Sequence, residues 1–409
     1  MTLPRVGVLL DFGAATPMSI LAAARGRYEV VFLCDRALPY VTALVDELGE
    51  LGEVCDITGR SGDRLGDRVA GLRLDGLTTF SEAQIRRTAD LAERNAFAYL
   101  SPSSAVAVTD KYVQRELLVR AGLPTPRCQA VADPAGLPSA LAAVGLPAVL
   151  KPRVGAGSAR TCRVDSLIEA TDRLREFQAG PGPFVLEEVL PGDPSVAGPG
   201  FGDYVSVESV TVAGSVRHIE ITGKFPLAPP FRETGYVVPA TLSAGWRRAV
   251  FELTEAALRA LGVTAGVTHT EVKLTPAGPR LIEVNGRLGG YVADLVRRAR
   301  RVDLVRSALA AALGHGEDVP ELGYRQHAFQ YFLTAAMEAT TLRRLDGVDR
   351  LSRVPGIRYV EVFRKAGDRL DWRLGTLGYL GIVHGSAADH DGVLALVAIV
   401  DDLLTVEVE

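Results

Sequence analysis

The first hundred or so residues alternate short β-branched runs with helix-forming stretches, and no other feature narrows the folds open to the chain as much. Val6–Leu10, Val30–Cys34 and Val54–Ile57 read as strands, with Pro17–Arg25, Val41–Leu48 and Glu82–Arg94 as the helices between or after them. Strands separated by helices pair in parallel through crossover connections, giving an α/β unit. The turn after the first strand, Asp11-Phe12-Gly13-Ala14-Ala15, lacks the spaced glycines of a dinucleotide fingerprint. Residues 1–108 therefore predict a Rossmann-like unit without its usual cofactor.

Beyond it, Asp110 is placed to cap a helix running to Val119, which Gly122-Leu123-Pro124-Thr125-Pro126 ends. Strands are expected near Arg127–Val131, Ala148–Leu150, Thr161–Val164 and Phe184–Val189, with helices Ala135–Val144 and Leu167–Phe177 between them. Pro191–Gly202 reads as a surface loop and Tyr204–Val212 with Val216–Thr222 as an antiparallel pair. Gly223–Pro239 reads as a mobile Gly/Pro segment before a helix at Ala244–Leu261, and Val267–Leu274 with Arg280–Val284 as a further pair. The remaining residues, 316–409, are expected as an appended C-terminal α/β lobe.

Composition excludes several classes. A chain of 409 residues with 47% hydrophobic and 23% charged residues is an ordinary globular composition of two or three domains. Its apolar run Gly392–Val400 lies between Asp391 and Asp401, well short of the ~18 residues a membrane helix needs. Val6–Leu10 is too short for a signal peptide, so a cytoplasmic protein with no membrane partner is expected. A net charge of −4 gives a polyanion no general attraction, and Arg297, Arg298, Arg300 and Arg301 read as a solvated helix face, so no nucleic acid is expected. Cys34, Cys55, Cys128 and Cys162 are dispersed small hydrophobes, and the six histidines show no zinc-binding spacing.

Of the 45 basic residues only five are lysine: Lys111, Lys151, Lys224, Lys273 and Lys365. A compact ammonium suits a phosphate oxygen where a planar guanidinium is bulky, so a lysine inside a motif carries information here. Lys151 ends a strand that runs into Gly155-Ala156-Gly157-Ser158, small residues whose backbone N–H groups can approach phosphate. A plain hairpin turn is the competing reading of that loop.

The pair Thr268–Lys273 and Arg280–Asn285 is the sharpest element. With Leu274 opposite Arg280, Glu271 faces Glu283 and Asn285 lies two residues along on the same face. Opposed carboxylates repel unless a cation sits between them. Two carboxylates and an amide, all oxygen ligands, fit magnesium completed by phosphates, whereas Lys273 or a nearby Arg would instead make a structural ion pair. Glu187-Glu188-Val189-Leu190, at the end of an apolar strand, can offer a carboxylate and backbone groups to an adenine edge.

The ordered series Asp110-Lys111, Leu150-Lys151-Pro152 with its glycine loop, Glu187-Glu188-x-x-Pro-Gly, Glu271 and Glu283-Val284-Asn285-Gly286-Arg287 resembles the ATP-grasp superfamily of carboxylate–amine ligases. Within it, Tyr204–Ser209 and Thr268–Lys273 resemble bacterial L-amino-acid ligases that make dipeptides. The resemblance implies an α/β ATP-grasp fold with a small lobe at about 109–185 and a large lobe at about 186–315, between the Rossmann-like domain and the C-terminal lobe. It implies that Lys111, Lys151, Gly155, Gly157 and Ser158 contact ATP phosphates and that Glu187, Glu188, Val189 and Leu190 hold adenine. Glu271, Glu283 and Asn285 would bind Mg2+, with Mn2+ able to substitute, and Arg287, with Lys151 and Asn285, would serve the acyl phosphate chemistry. An inserted Asp193–Gly202 leaves Asp203 or Asp193 as the ribose-binding acid. His269, Lys224, Glu233, Arg287, Gly289 and Gly290 are the candidates for holding amino-acid substrates, and a homodimer is admitted. The competing functions are a biotin- or purine-type carboxylase of the same fold and a nucleotide-binding regulator; no biotin-carrier lysine follows Lys273 except Lys365, in Phe-Arg-Lys-Ala-Gly.

Overall fold

Parallel pairing organises the first strands of the computed structural model, which describes residues 2–177, 182–317 and 323–409. β1 (Arg5–Leu10), β2 (Glu29–Cys34), β3 (Glu53–Asp56) and β4 (Gly76–Thr79) lie in the order β3-β2-β1-β4. All of these pairs are parallel, as the strand–helix alternation predicts. β4 went unread in the sequence because it is short and opens on glycine. That glycine is required, since a Cβ on Gly76 would collide with the backbone of Ala312 at the end of the helix Leu304–Ala312. The helix expected over Val41–Leu48 is two pieces, Pro39–Thr42 and Val45–Leu51.

A second, antiparallel sheet joins β5 (Cys128–Val131), β6 (Ala148–Pro152), β7 (Cys162–Val164) and β8 (Phe184–Glu188) in the order β5-β8-β6-β7. Leu150, Val164, Phe184 and Leu186 are buried there against Leu141 and Phe177 of the covering helices. Each such buried side chain contributes about 1.5–3 kcal/mol relative to exposure.

The largest sheet collects β9 (Tyr204–Val212), β10 (Ser215–Lys224), β11 (Gly235–Val238), β12 (Gly266–Thr275), β13 (Gly278–Asn285) and β14 (His327–Leu333). A two-stranded ribbon of β15 (Leu342–Asp346) and β18 (Thr405–Val408) stands apart, while β16 (Ile357–Val362) and β17 (Gly381–Ala387) join the large sheet. Its order is β13-β12-β9-β10-β11-β14-β17-β16. Two expectations change. The Gly/Pro segment 223–239 contains β11, whose four residues are all buried between β10 and β14. A strand covered on both faces loses the apolar–polar alternation that would reveal it. Within the stretch expected as a C-terminal lobe, β14, β17 and β16 pair into this same sheet, whereas β15 and β18 form their own ribbon.

Candidate active site

The three larger sheets face one cavity of about 1490 Å³. The β1 turn, the glycine loop after β6, the end of β8 and the β12–β13 hairpin all line it. Of the sequence candidates, Lys111, Lys151, Gly155, Gly157, Ser158, Glu187, Glu188, Val189, Leu190, Glu233, His269, Glu271, Glu283, Asn285, Arg287 and Gly290 are brought to its wall.

The hairpin reaches this arrangement through a bulge. Lys273 faces Arg280 and Val272 faces Leu281, then the register shifts, so that Glu271 faces Glu283 and His269 faces Asn285. The expected Leu274–Arg280 pairing is off by one residue, since Leu274 faces Pro279. The extra residue, Ile282, restores the opposition of the carboxylates. A bulge re-aims side chains. Leu281 and Val284 both stay in the core while Ile282, Glu283 and Asn285 turn to the cavity.

Every acid at the cavity wall near this hairpin has a basic partner. Glu283 lies 3.0 Å from Lys111 Nζ, and Glu271 lies 3.6 Å from His269 Nε2. The other nitrogen of His269, Nδ1, is 2.7 Å from Glu208, a fully buried carboxylate on β9. Burial alone would push His269 down, but the Glu208 charge and hydrogen bond prevail and raise it to about 9. Burial likewise opposes ionisation of Glu271, yet the neighbouring His269 ring and the Lys224 and Arg287 charges hold it down at about 2. Lys273 does not neutralise the carboxylate pair; its Nζ is 2.6 Å from Asp203.

The helix Lys111–Arg120 starts at Asp110, whose side chain accepts from the Tyr112 and Val113 N–H groups. Lys111, Gln114 and Arg115 stand on one face of this helix and are all buried. Lys111 Nζ also donates to the Gly155 carbonyl at 2.6 Å, linking the hairpin to the glycine loop. Lys151 Nζ is 2.6 Å from Glu187, whose carboxylate is also 3.0 Å from Arg115 Nε. Burial opposes its ionisation, but the two cations outweigh it and keep Glu187 below the ordinary carboxylate range. The Glu187 side chain is thus committed to Lys151 and Arg115. Arg115 was missed in the sequence, although its position one helical turn after Lys111 was the available signal.

Arg287 is aimed by Glu82, 3.1 Å from its Nε, and donates through Nη1 to the Leu288 carbonyl at 2.9 Å. Glu82 comes from the residues after β4 and is also missed by the sequence reading; burial raises it above the ordinary range despite Arg287. Four candidates lie off the cavity wall. Asp203 lines a neighbouring cavity of about 620 Å³ with its partner Lys273. Lys224 is buried behind Glu233, 2.9 Å from it, with its ammonium 3.7 Å from the centre of the Tyr236 ring. Gly289 supports His269, since a Cβ there would come within 2.5 Å of Nδ1. Asp193 caps the short turn Pro194–Val196 through the Ser195 N–H. Lys365 lines neither cavity and is exposed after β16, next to Phe363 and Arg364 of the main cavity wall.

The model of the ATP-grasp domain matches residues 144–294, the stretch that holds the glycine loop, β8 and the hairpin. Over those residues the chain is similar to an ATP-grasp domain. Around that domain the likeness extends over the whole fold: the L-amino acid ligase from Bacillus licheniformis superposes with a TM-score of 0.78 over 99% of both chains, at 22% identity. An uncharacterised protein of Sinorhizobium fredii is 30% identical over 331 residues, 80% of this chain and 63% of its own length. An alanine–anticapsin ligase of Bacillus subtilis is 28% identical over 274 residues, 62% of this chain and 57% of its own length. The chain thus spans roughly six-tenths of these curated relatives. Among the described residues no helix is long and apolar enough to cross a membrane.

Proposed function

We propose that the chain is an ATP-dependent ligase that joins the carboxylate of one amino acid to the amine of another through an acyl phosphate, releasing ADP and phosphate. The observation that carries this reading is the meeting, in one cavity, of the Lys111–Lys151–glycine-loop set with Glu271, Glu283, Asn285 and Arg287. A site that only bound nucleotide would have little use for a second charged set beside the phosphate-binding one. The names of the alanine–anticapsin ligase and the L-amino acid ligase point to the same chemistry.

The residues present fit a magnesium ion. Among the described residues no group of three or more His, Cys, Asp or Glu side chains is placed to hold a metal ion by itself. Two opposed carboxylates and one amide are what a hard cation that keeps water and phosphate ligands requires. The carboxylate pair also lies against the Lys111 ammonium and the His269 ring, so the hairpin is a place where positive charge is favoured. Glu271, Glu283 and Asn285 would hold the ion, which when bound neutralises phosphate charge.

The chain's own residues account for the rest. A carboxylate oxygen attacks the γ-phosphorus as the bond to the ADP oxygen breaks, and Lys151, Lys111 and Arg287 offset the charge on the moving phosphoryl group. The amine nitrogen then attacks the acyl carbon, phosphate departs with the C–O bonding pair, and the amine loses a proton. Glu233, backed by Lys224, and His269 hold substrate in this reading. Covering the glycine loop excludes water, which would otherwise hydrolyse the acyl phosphate. The test is a phosphate-release screen over amino-acid pairs with Mg-ATP and the mass of the product. Amide, ADP and phosphate in equal amounts are expected; pyrophosphate, or phosphate release with bicarbonate alone, would overturn the assignment.

A further inference from the structure

The glycine loop is gripped by a segment far away in the sequence. Trp372–Gly378 is a tight helical stretch broken at Gly375. The Thr376 N–H donates to the Gly157 carbonyl at 2.8 Å, and the Arg160 N–H donates to the Arg373 carbonyl at 2.9 Å. These two bonds bracket Ser158 and Ala159. A trans peptide unit carries its C=O and N–H on opposite sides, so pinning the Gly157 carbonyl on Thr376 turns the Ser158 N–H away from the contact. The loop is otherwise costly to hold at Ser158 and Arg160, non-glycine residues with positive φ, while Gly155 and Gly157 take up positive φ freely.

Close approach depends on a glycine in each partner. Gly375 has φ 58° and ψ −128°, a region open essentially to glycine alone. A Cβ there would collide with the Gly157 carbonyl oxygen and come within 2.7 Å of the Ala159 nitrogen. A Cβ on Gly157 would come within 2.5 Å of Thr376 Oγ1. Beneath the contact, Trp372 packs edge-on against Phe177 with ring centres 6.0 Å apart, and the Arg173 guanidinium lies 5.4 Å from the Trp372 ring centre. Arg373 adds ion pairs to Asp371 and Glu176, but these are solvent-exposed and weak. The next residues turn inward. Thr376, Leu377 and Tyr379 line the main cavity, and the Leu377 carbonyl accepts from Arg364 Nη2 at 3.1 Å.

We propose that Gly375 and Thr376 are positioning residues for phosphoryl transfer: they clasp the glycine loop over the nucleotide phosphates, on a segment whose Leu377 and Tyr379 face the bound substrate. This rests on the ligase reading above and deepens it. The clasp joins the loop that holds ATP to the wall that holds the acyl partner.

The experiment uses the full chain and two variants, Gly375→Ala, which blocks the contact, and Trp372→Ala, which removes its foundation without straining the backbone. Three readouts are taken: the Mg-ADP dissociation constant by calorimetry, the rate of tryptic cleavage at Arg160 without nucleotide, and the ratio of ADP to amide. Expected are an affinity about 10-fold weaker, faster cleavage, and a ratio above that of wild type as water reaches the acyl phosphate. A variant that melts with wild type but keeps its affinity and cleavage rate overturns the clasp. If Gly375→Ala does not fold, Trp372→Ala decides by the same criteria. If the wild type makes no amide while the variants lose affinity and protection, the clasp stands and the ligase reading alone falls.

Discussion

At Glu271 and Glu283 the chain offsets the repulsion that two facing carboxylates create by giving each its own base. Removing one carboxylate therefore relieves no strain. Glu283→Gln leaves Lys111, whose side chain is 8% exposed, with only the Gly155 carbonyl, and is expected to lower metal-free stability by up to about 3 kcal/mol. Glu271→Gln leaves His269 with Glu208 and costs less. For wild type, Mg-ADP at a hundred times its dissociation constant stabilises by about 2.7 kcal/mol, and this gain is expected to shrink in both variants. Thermal unfolding with and without Mg-ADP measures both effects, and an undiminished gain in both variants would remove these carboxylates from the nucleotide site. Of the five lysines, Lys111, Lys151 and Lys273 lie on the cavity wall, Lys224 lies behind Glu233, and Lys365 is exposed after β16.

Among the elements, the helix Lys111–Arg120 does most to assemble the site. Lys111 reaches the glycine loop and Glu283, Arg115 reaches Glu187, and Gln114 grips the hairpin backbone from both sides of Val284 at 2.9 Å. The orientation of all three depends on how the helix begins. Asp110 caps it and also binds Arg153 Nε at 2.7 Å, so Asp110→Ala loses a cap and strands a guanidinium beside the glycine loop. A cap is worth about 0.5–2 kcal/mol. Urea unfolding is expected to show a midpoint lowered accordingly with an unchanged slope, together with weaker nucleotide binding. Asp110→Asn, which can still cap but carries no charge for Arg153, is expected to recover most of the stability and less of the binding. Equal stability of Asp110→Ala and wild type would show that the helix start is fixed by its packing alone.

Across the whole molecule, the site is completed by the N-terminal unit. Glu82, just after β4, is 3.1 Å from Arg287 Nε and aims it. Glu82→Gln keeps the shape but weakens that hold, and is expected to lower kcat about 10-fold while Mg-ADP affinity stays within about twofold. Steady-state kinetics with calorimetry checks the split; parallel losses in both would mean that Glu82 supports the fold of the cavity rather than the aim of Arg287. The rest of the assembly follows from the same long-range joining, with β14, β17 and β16 extending the sheet that begins at the β12–β13 hairpin.

Local periodicity made the parallel N-terminal sheet, the β5–β8 strands, the helix after Asp110 and the order of the charged motifs legible from the chain itself. Strand alternation, helix spacing, caps and turns act between residues a few positions apart, so they leave a record in the sequence. The bulge at Ile282, the burial of β11 between two strands, and the partnerships of Lys111 with Glu283, Arg115 with Glu187 and Arg287 with Glu82 left none. Those were decided by the tertiary structure, because which strand becomes covered and which charge is neutralised depend on surfaces that meet only when distant segments pack, and spacing along a chain does not encode separation in space.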